Sequence, residues 1–214
     1  MLKQNRGKII LTTLITLLPM VAGLCLWSFL PDRVPTHWNF AGEIDGWSSK
    51  AFAVFGLPGI IVACHLLCVL ITAADPKHQN VSGKMLNMVY WITPIVSIVV
   101  GGATYMAAFG LPFRMELVGM ILIGIMFIVL GNWLPKCQPN YTVGIKLPWT
   151  IHDEDNWRKT HRFAGPVWVA GGVVLLLTSF LGEIGLYILV ADLILLAVIP
   201  TVYSFMLYRK TYKS

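Results

Sequence analysis

Six runs of about twenty residues with almost no fixed charge constrain this chain more than any other feature, since each can cross roughly 30 Å of hydrocarbon as a helix rising 1.5 Å per residue. They fall near Ile9 to Leu30, Ala51 to Ala74, Asn87 to Phe109, Leu117 to Leu134, Gly165 to Leu181 and Ile184 to Leu207. The fifth is the shortest, and it fits only if the Gly182-Glu183 turn lies at the interface and joins spans five and six as a tight hairpin. With 57% of its 214 residues hydrophobic and 12% charged, against about a quarter charged in soluble domains, the chain reads as an all-α, polytopic membrane protein. Its net charge of +6 then reflects orientation and contact with membrane lipid rather than direct nucleic-acid binding.

Basic residues resist translocation, so their distribution orients the spans. With the N-terminus inside, Lys3, Arg6, Lys8, Lys77, Lys84, Lys136, Lys146, Arg158, Lys159, Arg162, Arg209, Lys210 and Lys213 lie on the cytoplasmic side; only Arg33, Lys50 and Arg114 lie outside. Both termini are expected inside, the loop 30–50 outside and the loop 135–164 inside. The apolar run after Lys3, Arg6 and Lys8 exceeds a usual signal-peptide core and lacks a small-x-small site, so it reads as a retained helix. Cys25, Cys64 and Cys68 fall within spans and Cys137 on the inner side, which leaves no pair for an oxidising loop. Cys64 and Cys68 are one helical turn apart, but His65 lies about 100° round the helix from Cys64, and packing is the better reading than a metal. No internal repeat of the inverted-transporter kind is evident.

Two loops carry the informative residues. In LPDRVPTHWNFAGEIDGWSSK, residues 30 to 50, prolines and turn formers predict a compact, turn-rich backbone. Ser48 or Ser49 can cap the second span, and Trp38, Phe40 and Trp47 suit the lipid headgroups. Asp32, His37, Glu43 and Asp45 either converge on a cation or peptide or are ordinary solvated loop residues. In GNWLPKCQPNYTVGIKLPWTIHDEDNWRKTHRFAGP, residues 131 to 166, Pro135, Pro139, Gly144 and Pro148 predict an extended, turning first half. The second half predicts a cytoplasmic interfacial helix between spans four and five. Thr150 caps it, Glu154–Arg158 and Asp155–Lys159 pair along it, and Gly165-Pro166 bends the chain into span five. Trp157, His161 and Ala164 share one face of that helix, and Arg158 and Arg162 another. His152 and His161 are nine residues apart, where a zincin helix needs four, so neutral, exposed histidines in a charged helix are the better reading than a metal. No nucleophile elbow, phosphate loop or Cys-His arrangement calls for catalysis or a cofactor. Within the membrane, His65 and Asp192 stand out, because ionisable groups there are costly. Each is either a proton- or ligand-linked polar site or, as preferred here, a buried hydrogen bond between helices.

The two loops resemble a known family. LPDRVPTHWNFAGEIDGW has the form of an outer loop, LP-x-x-[IV]-P-x-H-[FW]-[ND]-x-x-G-x-x-D-x-[WY], found in a widespread N-terminal membrane module. GNWLPKCQPNYTVGIKLPWT with NWRKTHRFAG is similar to the C-terminal module of the SdpI family, the immunity proteins for the sporulation-delaying protein toxin. The resemblance implies an N-terminal module over 1–112 and a C-terminal one over 113–214. It also implies protection against a secreted toxin peptide and recruitment of a cytoplasmic transcriptional repressor. Signature positions kept here are Pro31, Pro35, His37, Trp38, Asn39, Gly42, Asp45 and Trp47 in the outer loop, where Asp32 and Glu43 add acids. In the inner region they are Asn132, Pro135, Asn140, Gly144, Pro148, Trp149, Trp157, Thr160, His161 and Gly165, with Arg158 and Arg162 available to a partner. A small transporter, or a membrane enzyme acting on lipid or peptide, is the alternative.

Overall fold

A computed structural model describes residues 1–39, 42–112 and 114–212; Phe40 and Lys213 lie outside the described residues. Among the described residues six helices are long and apolar enough to cross a membrane: Lys3–Cys25, Phe52–Ala74, Gly83–Ala108, Met115–Lys136, Glu154–Leu181 and Glu183–Thr211. Their outward faces stay apolar, with Leu177 and Phe180 73% and 68% exposed. Only hydrocarbon satisfies such a shell, while the helical backbone bonds itself. The protein is a multi-pass membrane protein. Its residues form two compact units, 1–74 with 86–115, and 75–85 with 116–214.

In the first unit, span one is two helices, α1 (Arg6–Thr16) and α2 (Leu18–Cys25), meeting at Leu17. Pro19 lacks the N–H that would continue the ladder. Side chains from α4 (Gly83–Ala108) take up carbonyls at the break: the Ser97 hydroxyl donates to Thr16 O at 2.8 Å and the Tyr105 hydroxyl to Pro19 O at 2.7 Å. The helix stops at Cys25, short of the expected Leu30, and residues 26–30 continue in turns. Two strands, β1 (Arg33–Trp38) and β2 (Ile44–Ser49), lead into a π-helical turn, Phe52–Gly56, and α3 (Leu57–Ala74). Leu30, Val54 and Tyr105 form the buried cluster under this end.

In the second unit, α5 (Met115–Trp133) precedes α6 (Pro148–Ile151), α7 (Glu154–Thr178) and α8 (Glu183–Tyr212). Span five is longer than the sequence suggested. The helix expected after the proline-rich half is present, but it runs unbroken through Pro166 as the first turns of α7. A single turn of 3-10 helix and Gly182 at φ +60° close the expected hairpin into α8. Helices α5 and α7 meet on glycines seven residues apart on each: an added Cβ on Gly131 would sit 2.7 Å from Gly165 O, and one on Gly172 would sit 2.5 Å from Gly124 O. Close backbone approach of this kind is how helices pack where lipid removes the hydrophobic drive. Met120, Phe127, Leu175 and Leu196 fill the adjoining core.

Candidate functional site

The loop 30–50 is a hairpin rather than a string of turns. Strands β1 and β2 pair antiparallel from Arg33↔Ser49 to Trp38↔Ile44, with irregularities on either side of His37. Bulges of this type twist a short ribbon and re-aim a side chain. His37 Nδ1 meets Asp45 Oδ1 at 2.5 Å, and Thr36 and Ser48 bond at 2.8 Å. The tip is closed by Asn39, whose Oδ1 accepts from Glu43 N–H at 2.9 Å and whose Nδ2 donates to Glu43 Oε2 at 3.0 Å. Gly42 supplies a positive φ of +80°. Pro35 is buried, while Trp38 is half-buried and Trp47 50% exposed.

The acids do not converge. Asp45 faces His37, Glu43 faces Asn39, and Asp32 points to Lys50 at 3.6 Å. Among the described residues no group of three or more His, Cys, Asp or Glu could hold a metal ion. Of the two serines, Ser49 caps the following helix, accepting from Phe52 N–H at 3.2 Å.

Lys50 was not singled out by sequence, yet it ties the hairpin base to the end of span one. Its ammonium donates to Leu30 O at 2.9 Å and Trp27 O at 3.3 Å and lies 5.3 Å from the Trp27 ring centroid. Carbonyls at a helix C-terminus lack intrahelical donors, and a lysine supplies them.

The second cluster surrounds His161. Its Nε2 accepts from Ile145 N–H at 2.9 Å, so the proton must sit on Nδ1, which donates to Trp157 O at 2.8 Å. The imidazole stacks on Trp157 at 4.1 Å, and Trp157 Nε1 donates to Cys137 O at 2.8 Å. Both rings are 1% exposed, so His161 is buried rather than the exposed helix residue that the sequence suggested. With both ring nitrogens bonded to backbone, His161 is an architectural group that locks the 137–145 turn to α7. Gly144, at φ +119°, lies against His161 Nε2 and the Trp157 ring.

Asn140 shapes that turn from inside. Its Oδ1 accepts from Thr142 N–H and Val143 N–H at 2.9 and 2.7 Å, and its Nδ2 donates to Gln138 O at 2.8 Å. Burial pushes the Cys137 thiol up to about 11, against a smaller opposing hydrogen bond from Asn140.

A neighbouring network joins α6, α7 and α8. Trp149 Nε1 donates to the Ser204 hydroxyl at 2.9 Å, which donates to Asn156 Oδ1 at 2.7 Å. The Thr160 hydroxyl donates to the same oxygen at 3.0 Å. Asn156 and Ser204 were missed because each looks ordinary alone.

The expected helix cap is corrected: Asp153, not Thr150, accepts from the first turn of α7, at Asp155 N and Asn156 N. The Thr150 hydroxyl instead accepts from Leu147 N–H and can donate to Ile145 O. Asp155 pairs with both Arg158 and Lys159, which replaces the expected Glu154–Arg158 pair. Arg158 and Arg162 are exposed, as are Asn132, Pro135 and Pro148.

Asp75 is the other residue that sequence reasoning overlooked. Buried to 5% exposure just after α3, it accepts from Lys77 N–H, Tyr141 N–H and the Thr142 hydroxyl at 2.7, 2.8 and 2.6 Å. Burial alone would raise its pKa, but the Thr142 hydroxyl and the backbone N–H groups outweigh that and hold it below the usual value. Asn80 adds a bond to Pro139 O at 2.7 Å, so the connection 75–85 is bound to the 139–142 turn.

Within the spans, His65 behaves as preferred. The Thr12 hydroxyl, already donating to α1 carbonyls, lies 3.1 Å from His65 Nε2, which therefore donates and links α1 to α3; Nδ1 has no partner among the described residues. Asp192 does not follow the preferred reading. Its Oδ2 is buried without a hydrogen bond among the described residues, and the carboxyl lies against Gly171 of α7, where only a glycine leaves room. Cys64 and Cys68 face outward from α3 rather than into a core.

These features define an α-helical membrane protein with a bulged hairpin after its first span and a proline-, asparagine- and tryptophan-built turn locked to its fifth span. Residues 136–204 match the SdpI/YfhL protein family, and residues 14–62 match a domain of unknown function, DUF1648. The chain is similar to the Immunity protein SdpI of Bacillus subtilis (strain 168), 26% identical over 209 residues that cover 95% of this chain and 97% of that one. No solved structure matches. The chain is thus a membrane protein similar to the SdpI/YfhL family over residues 136–204 and to one immunity protein along most of its length.

Proposed function

We propose that this protein is an immunity protein that shields its own membrane from a secreted, membrane-active toxin peptide. The observation that carries the reading is similarity to an immunity protein along 95% of the chain, spanning both the hairpin and the cytoplasmic turn. Both termini lie in the cytoplasm, by the bias of thirteen basic residues against three, and the hairpin faces the toxin. Its exposed Trp47, the half-buried Trp38 and the carboxylates of Asp32, Glu43 and Asp45 offer an amphipathic edge to a cationic, membrane-active peptide. The exposed Arg158 and Arg162 of α7 offer a cytoplasmic surface to a repressor, which must favour the toxin-bound state if binding is to signal.

The hairpin can be tested without unfolding the protein, because an exposed pair such as His37–Asp45 contributes only about 0–1 kcal/mol. Sensitive cells expressing wild type should survive challenge with a membrane-active peptide encoded beside the gene, and cells expressing equal amounts of His37→Ala/Asp45→Ala should not. Equal survival would remove the hairpin from the toxin site. Separately, Arg158→Ala/Arg162→Ala should abolish recruitment of the repressor to the membrane while leaving protection intact.

A further inference from the structure

Three lysines of the second unit lie against two aromatic rings, and a fourth is bonded to the backbone beside one of them. Lys84 and Lys136 share the Trp133 ring, with ammonium groups 5.3 and 4.4 Å from its centroid. Lys77 lies 5.5 Å from the Tyr141 centroid, and Lys146 donates to Tyr141 O at 3.1 Å and Thr142 O at 3.0 Å. None of the four is paired with an acid among the described residues. The acid that lies among them in the fold, Asp75, is buried and spends its oxygens on the Lys77 and Tyr141 amides and the Thr142 hydroxyl.

Bringing two ammonium groups to one ring is opposed by their repulsion, and a cation–π contact returns only about 0.5–1 kcal/mol at an exposed site. Lys84 has a second conflict. It sits in the first turn of α4, the positive end of the amide dipole, and no acid accompanies it there. Both conflicts vanish if an anion sits beside Trp133. Lys136 closes the 3-10 turn Leu134–Lys136 that follows α5 and Lys84 opens α4, so an anion bound there would lie where two apolar helices end. A tryptophan ring is favoured at that depth, among headgroups.

We propose that Lys84 and Lys136, held around Trp133, bind the phosphate of an anionic phospholipid headgroup, with Lys77 and Lys146 enlarging the basic field. The chemistry recognised is a phosphate ester at the membrane surface, and the source is the bilayer itself, whose cytoplasmic leaflet attracts juxtamembrane lysines by about 1 kcal/mol each. The site is independent of toxin recognition.

The test is thermal unfolding of the full-length protein in vesicles of phosphatidylcholine with and without phosphatidylglycerol. Phosphatidylglycerol should raise the midpoint of wild type by several degrees. Lys84→Gln/Lys136→Gln should lose most of that increment, Lys84→Arg/Lys136→Arg should keep it, and Lys210→Gln at the end of α8 should keep it as well. If the double glutamine protein does not fold, Lys136→Gln alone should lose a clear part of the increment. Three results would overturn the proposal: an undiminished increment in the glutamine variants, an equal loss in Lys210→Gln, or the same increment in phosphatidylcholine from soluble glycerol phosphate. An equal increment from soluble polyglutamate would reassign the cluster to an acidic protein segment, and would also overturn it.

Discussion

Asp75 shows how one carboxylate can organise a turn that belongs to another part of the chain. Hydrogen bonds to a charged acceptor contribute about 1.5–3 kcal/mol, and here they come from Lys77, Tyr141 and Thr142. Because its folded pKa lies below the unfolded value, its stabilisation is fully present above the unfolded pKa of about 3.9. It is lost only as the pH falls through the folded value. Asp75→Asn should therefore lower the unfolding midpoint at pH 7, and its deficit against wild type should shrink in acid below about pH 4; a deficit that does not change with pH would contradict this. Gly144 makes a steric prediction at the same scale. With φ at +119° and a Cβ that would approach His161 Nε2 to 2.5 Å, Gly144→Ala should cost about 1–3 kcal/mol, read as a lowered midpoint in detergent. An unchanged midpoint would mean that the turn is not locked as described.

At the scale of elements, the spans were legible because length and hydropathy determine them, and so was the α7–α8 hairpin through Gly182-Glu183. The hairpin β1–β2 was not. Proline, glycine and asparagine advertise turns, whereas the pairing of Thr36 with Ser48 and of His37 with Asp45 depends on a register that no local pattern states. For the same reason His161 and Trp157 could be placed on one face of a helix, but neither their burial nor the backbone N–H of Ile145 that His161 accepts from, sixteen residues earlier, could be read. Pro166 was overweighted as a bend: α7 accommodates it after three turns, since tertiary packing offsets the lost bond. Thr150 lost the cap to Asp153 because its hydroxyl is engaged by the Leu147 amide.

Across the whole molecule, the number of spans and the basic asymmetry give a definite topology to test. A cysteine introduced at the exposed Ser49 should react with an impermeant maleimide added to intact cells, whereas labelling that requires permeabilised cells would invert the orientation proposed here. The glycine contacts between α5 and α7 carry a mechanical consequence. Slipping α7 by one turn would bring Val169 or His161 to the place that Gly165 occupies against Gly131, and a side chain has no room there. Axial sliding is therefore blocked and the pair moves as a single strut. Whatever message reaches the His161 turn through α7 must arrive as tilt or rotation of both helices together.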